Sequence, residues 1–165
     1  MAQSRQSEKL QMNLFGKSSD AENCVIAFMP IKPIYARKLM SGEKKYEFRK
    51  SPINIDLSHI IIYASSPVKK VIGLAEVKRV LVTSPSAVWS QTKHAAGIAK
   101  KAYEDYFAGK KQAYAIEIKK IVHLAKEIAP VELENGFKVP QSFSYVDTKF
   151  YLKVAKKGGL DANER

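Results

Sequence analysis

The chain is nearly empty of cysteine: Cys24 is the only one in 165 residues, which excludes an internal disulfide and any zinc site built on several thiolates. Long apolar runs are missing too. No stretch approaches the roughly 18 consecutive apolar residues of a membrane span, and the opening MAQSRQSEKLQ lacks the apolar centre of a secretory signal. A cytoplasmic protein without a membrane partner is the expectation. The three histidines, His59, His94 and His123, are scattered without ligand spacing, so neither a metal nor a cofactor is expected. A phosphate loop, a dinucleotide-binding glycine run, a Gly-x-Ser-x-Gly elbow and a His-Glu-x-x-His helix are all absent, as are internal repeats and low-complexity tracts.

Acidic residues are the other shortage. Against 28 Lys and Arg there are 16 Asp and Glu, a formal charge of +12 that points to a polyanionic partner. The excess is not a basic tail, because before Cys24 the residues Arg5, Lys9 and Lys17 are balanced by Glu8, Asp20 and Glu22. Residues 1–22 are polar and read as a disordered leader. Within it Gln11, Leu14 and Phe15 resemble the short peptide by which bacterial proteins dock on the DNA sliding clamp, an extended segment that drops apolar side chains into a preformed pocket. The same residues could instead fold back as an anchor on the domain.

The 45% hydrophobic content suits one core, assigned to residues 23–155, with residues 156–165 as a flexible tail. An apolar strand over Cys24–Met29 stops at Pro30, and a helix opening at Pro33 turns Ile34, Ala36, Leu39 and Met40 inward until Gly42. Strands are expected over 45–50 and 59–65. Val71–Val82 is long enough to bend, with Gly73 as a bulge or close-packing site. Ser84-Pro85 starts a short helix carrying Trp89 as a core anchor, a second helix is expected over 95–107, and 113–124 returns to strand. Residues 130–140 are rich in turns, and the element around Phe150–Val154 fits either helix or strand. Five or six strands with helices between them, and no regular alternation, predict an α+β fold: a small mixed or antiparallel β-barrel with peripheral helices.

The densest chemistry lies in Gly42-Glu43-Lys44-Lys45-Tyr46-Glu47-Phe48-Arg49. In strict strand register Lys45, Glu47 and Arg49 share a face, and Lys44 falls on the other. Lys44 can join Glu47 and Arg49 only from the turn after Gly42, where extended register has not begun. Glu47 and Arg49, two apart, can form a charge-assisted pair that fixes the guanidinium plane. The alternative is a solvated strand face.

Gly42-x-Lys44-x-x-Glu47-x-Arg49 resembles the signature of the ASCH domain, a branch of the PUA-like superfamily of nucleic-acid-associated β-barrels. Ile31-Lys32-Pro33, Ser65-Ser66-Pro67, Gly73 and Pro140-Gln141-Ser142-Phe143 resemble the family's layout over residues 24–150. The resemblance implies a cleft for RNA, another nucleic acid or a single, even modified, nucleotide. Ligand contacts are expected from Lys44, Glu47, Arg49, Tyr63, Ser65 and Ser66, and phosphate contacts from Lys69, Lys70, Lys100, Lys101, Lys119 and Lys120. It also implies two hydrolytic alternatives centred on Lys44 and Glu47. One is an N4-acetylcytidine amidohydrolase, whose known members carry threonine where this chain has Glu47; the other is a ribonuclease in which Lys44 stabilises phosphorane charge.

Overall fold

The computed structural model describes residues 1–16 and 18–161. Six strands form one mixed sheet: β1 (Val25–Ile31), β2 (Tyr46–Arg49), β3 (Leu57–Ala64), β4 (Lys70–Thr83), β5 (Ala113–Ile128) and β6 (Ser144–Val146). Their order is β2-β5-β4-β3-β1-β6, with β1 and β3 parallel and the other pairs antiparallel. A parallel pair requires a crossover. It is supplied by α3 (Pro33–Ser41) followed by β2, so the motif strand lies at one end of the sheet and the strand that precedes it in sequence lies near the other.

Curling brings those ends together. No strand pairing joins β2 to β6 among the described residues, and the seam is bridged by side chains instead. The Arg49 guanidinium on β2 donates to Pro30 O on β1 at 2.7 Å and to Ser142 O, just before β6, at 3.1 Å. The Tyr145 hydroxyl on β6 accepts from Asn54 N at 3.0 Å. The sheet is thus not closed into a complete barrel: its two ends approach each other and are bridged by side-chain hydrogen bonds.

Three apolar clusters follow from this curvature. Inside, alternate residues of β1 and β3 (Ala27, Met29, Ile60, Ile62) meet Ala36 and Leu39 of α3. The opposite faces of the same strands (Ile26, Phe28, Ile61, Tyr63) pack beneath α1 (Ala2–Phe15) and α7 (Thr148–Lys157). The third cluster joins Tyr46 and Phe48 of β2 to α4 (Pro85–Thr92) and α5 (Lys100–Phe107), where Trp89 packs 4.8 Å from Tyr103. Gly73 sits at a register break and opposite Met40, the bulge and close approach that its position predicts.

Several sequence expectations are corrected. Where a disordered leader is expected over residues 1–22, the described ones include α1 and the single turn α2 (Ser18–Ala21), and Leu10 and Phe15 are buried. The polar composition conceals one apolar edge, Leu10, Leu14 and Phe15 at helical spacing, and docking on the body supplies the stability that propensity alone does not. Phe15 lies 4.7 Å from His59 and 5.1 Å from Tyr151, while His59 Nε2 faces Leu14 O at 3.1 Å. The expected tail is ordered through Lys157, with Leu160 packed on the outer cluster; residues 162–165 lie outside the described residues. The element of unsettled type is α7. Pro30 does not end β1, and Ile34 is exposed because it begins α3 on the solvent side. The helix expected over 95–107 starts only at Lys100, since Gly97 adopts a φ of 63° and breaks it. Residues 130–140 hold one helical turn, α6 (Pro130–Leu133). Among the described residues no helix is long and apolar enough to cross a membrane.

Candidate functional site: a buried lysine beneath the edge strand

Gly42 ends α3 in the left-handed region, with its N–H on Leu39 O, and the chain doubles back so that Lys44 N donates to Lys38 O at 3.0 Å. Extended pairing resumes at Lys45, whose N–H donates to Ala95 O and whose carbonyl accepts from Ile118 N. Lys44 therefore stands outside strand register, and its side chain runs under β2 to a cleft of about 490 Å³ that it shares with Glu47, Phe48 and Arg49. Lys44, Glu47 and Arg49 are all buried, at 3%, 7% and 8% exposure, which rejects the solvated-face alternative.

The ammonium is held by weak partners. Lys44 Nζ donates to Ala96 O at 2.9 Å and lies 4.4 Å from the centre of the Phe48 ring and 5.6 Å from that of Tyr35. Burial lowers its pKa from 10.5 to about 8; Glu47 works against the shift, and the cations Lys38 and Arg49 add to it. Glu47 Oε1 is 3.2 Å from the Arg49 guanidinium. With two of its nitrogens donating to Pro30 O and Ser142 O, Arg49 is committed to the seam and to Glu47, and its Nε is buried with no partner. The pair forms as the motif spacing predicts, and the guanidinium also ties β2 to β1 and to the segment before β6.

Three ligand residues expected from the sequence do not line this cleft. Tyr63 points to the outer cluster, 5.5 Å from Phe28. Ser65 donates its N–H to Ile31 O, and Ser66 is exposed in the following turn. The six expected phosphate residues divide as well. Lys69 and Lys70 stand at the start of β4, Lys100 and Lys101 pair with Glu104 and Asp105 one turn along α5, Lys119 pairs with Glu76, and Lys120 is exposed on β5. Gln11 is half-buried and Phe15 buried at the end of α1, away from the cleft. Among the described residues no group of three or more His, Cys, Asp or Glu is placed to hold a metal ion.

The cleft also contains residues that the sequence reading missed, chiefly Tyr35, Tyr106 and the loop around Gly97. Tyr35 and Tyr106 are half-buried on its walls, and the Tyr106 hydroxyl donates to Phe48 O at 3.4 Å. Gly97 was legible as a possible breaker in Ala95-Ala96-Gly97-Ile98, but only the fold shows why it matters. A Cβ there would lie 2.4 Å from Lys44 Cβ and 3.0 Å from its Cα, so glycine lets the loop cross close enough for Ala96 O to meet the ammonium. Gly97→Ala is expected to destabilise the protein by more than about 1 kcal/mol, because positive φ and the clash combine. Thermal melting together with a titration of the Lys44 ammonium by NMR checks it: the melting temperature should fall and the Lys44 signal should move.

A mixed six-stranded sheet with helices packed on it, and a buried lysine facing Phe48 and Tyr35, fit a PUA-like fold. The sequence profile of the ASCH domain matches residues 29–122, and the chain belongs to that family. It is 30% identical over 127 residues to the ASCH domain-containing ribonuclease of Zymomonas mobilis, spanning 73% of this chain and 83% of the relative. The crystal structure of ASCH from Zymomonas mobilis superposes with a TM-score of 0.73 at 29% identity, covering 79% of this chain and 94% of that one. Protein Atu2648 from Agrobacterium tumefaciens shares the fold, with a TM-score of 0.52 at 15% identity over 86% of this chain and 97% of its own.

Proposed function

We propose that this protein acts on RNA, holding one nucleotide in the cleft beneath β2, and that Lys44 and Glu47 carry cleavage of the adjoining phosphodiester. The observation that supports it most is the Lys44 ammonium, buried yet open to the cleft, with its pKa lowered to about 8. An ordinary lysine is too weak an acid to protonate a leaving alkoxide effectively near neutral pH; one titrating near 8 is well matched to that task. In the step envisaged, Glu47 takes the proton of the ribose 2′-hydroxyl, and that oxygen bonds to phosphorus. The bond from phosphorus to the 5′ oxygen breaks, and Lys44 gives its proton to the departing oxygen. Before proton transfer the same ammonium stabilises charge on the phosphorane. Tyr35 and Tyr106 offer ring faces for an unstacked base. The ribonuclease name of the Zymomonas relative agrees with this reading.

The products test it. Labelled single-stranded RNA should yield 2′,3′-cyclic phosphate and 5′-hydroxyl ends, and Lys44→Ala should lower the rate by about 10²- to 10⁴-fold. The same products at an unchanged rate from that variant would remove Lys44 from the chemistry. The N4-acetylcytidine amidohydrolase reading uses Lys44 without its proton, which the lowered pKa also favours but the neighbouring Glu47 opposes. The two readings differ in the sign of their pH dependence. Clamp docking through Gln11, Leu14 and Phe15 would require Phe15 to leave its contacts with His59 and Tyr151.

A further inference from the structure

Lys44 borders two cavities. Beyond it from the nucleotide cleft lies a groove of about 370 Å³ between the end of α3 and β5, lined by Lys44, Lys45, Lys119, Lys120 and His123, with no carboxylate among its lining residues. A larger groove along α7, about 1010 Å³, also carries four lysines (Lys149, Lys153, Lys156 and Lys157), but Glu22, Glu134 and Asp147 share its walls. The charged residues lining the first are therefore all basic, and those lining the second are mixed.

The backbone explains how so many lysines reach one groove. Strict alternation would send Lys119 and Lys120 to opposite faces of β5. Between Val77↔Ile118 and Glu76↔Lys120, however, β5 carries one residue more than β4, and Lys119 is that extra residue. A bulge re-aims side chains. Both lysines consequently line the same groove and both are exposed, as are Lys45 and His123. Lys119 is paired with Glu76 at 2.9 Å; among the described residues no ion pair is formed by Lys45 or Lys120. On the near side, Gly42 leaves open space where a Cβ would stand.

We propose that this groove is the track for the phosphodiester backbone of single-stranded RNA, feeding it past Lys44 into the cleft. The inference rests on the RNA reading above and adds a direction to it. One nucleotide enters the cleft on one side of Lys44, and the phosphates of the adjoining nucleotides lie along Lys45, Lys119 and Lys120 on the other. A phosphate is the ligand these groups suit, because flexible ammoniums contact it as point charges and need no base identity.

The test measures binding of a labelled single-stranded RNA of about a dozen nucleotides by fluorescence anisotropy, from about 50 to about 200 mM salt. Lys119→Ala/Lys120→Ala should weaken binding by about 10-fold and make the salt slope shallower by about 1.4, since each lost phosphate contact removes about 0.7. Lys149→Ala/Lys153→Ala on α7 removes the same charge and should leave affinity within about 2-fold of the parent. All four side chains are exposed, and melting temperatures verify that both doubles are folded. Equal losses in the two doubles would mean diffuse attraction and would overturn the track. Wild-type binding with no loss in the first double would overturn it while leaving the RNA reading intact. No wild-type binding at the lowest salt would overturn both.

Discussion

Arg49→Ala is expected to destabilise the protein by about 3–5 kcal/mol, the cost of removing one partner from a buried ion pair. Glu47, at 7% exposure, would keep its carboxylate in the interior without the guanidinium 3.2 Å away, and Pro30 O and Ser142 O would lose their donors together. These carbonyls lie across the gap between β2 and the opposite end of the sheet, where among the described residues no strand ladder replaces them. The loss should show in urea unfolding as a lower midpoint, with a steeper dependence on a variant that also opens the Tyr145 to Asn54 contact. Arg49→Lys should recover little, because one compact ammonium cannot reach two carbonyls and a carboxylate from a single position. An Arg49→Ala protein of unchanged stability that fails only in binding RNA would return Arg49 to the ligand-facing role suggested by its motif.

Lys44→Met is expected to do the reverse. Lowering the pKa from 10.5 to about 8 corresponds to about 3 kcal/mol of cost for keeping the ammonium inside at neutral pH. Methionine fills similar space without the charge, while giving up the bond to Ala96 O and the contact with the Phe48 ring. A gain of about 1–3 kcal/mol in stability should therefore accompany the loss of cleavage. Linkage gives a second readout with a definite sign. Between about pH 8 and 10.5 the unfolded lysine holds its proton while the folded one has lost it, so this group's contribution makes wild-type stability rise with pH across that window. The rise should be absent in Lys44→Met. A variant less stable than the parent at neutral pH would show that the ammonium is a net structural asset.

Local features were legible in the sequence and facing was not. Gly42 as the helix end, Lys44 leaving register in the turn and Glu47 beside Arg49 all follow from spacing within eight residues. That Tyr63 faces away from the cleft was not legible because β3 is buried on both faces, so its apolar run contains no alternation to say which residues face which side. The seam role of Arg49 depends on partners 19 and 93 residues away in sequence, contacts that no local pattern encodes. Lys119 and Lys120 were expected to contact phosphate, but the bulge that brings neighbours in sequence into one groove is not encoded in any local pattern. The polarity of residues 1–16 hid a helix whose few apolar residues matter only because His59 and Tyr151 receive Phe15.

The central claim is that Lys44 works in its protonated form inside the cleft, and a pH–rate profile of RNA cleavage tests it most directly. Wild-type protein should hold a plateau from neutral pH to about 8 and lose about 10-fold per unit above it, as the cationic acid is removed. Lys44→Arg, which stays charged throughout, should be slow and show no such fall. A wild-type rate that climbs through pH 8, or a fall that persists unchanged in Lys44→Arg, would contradict the account.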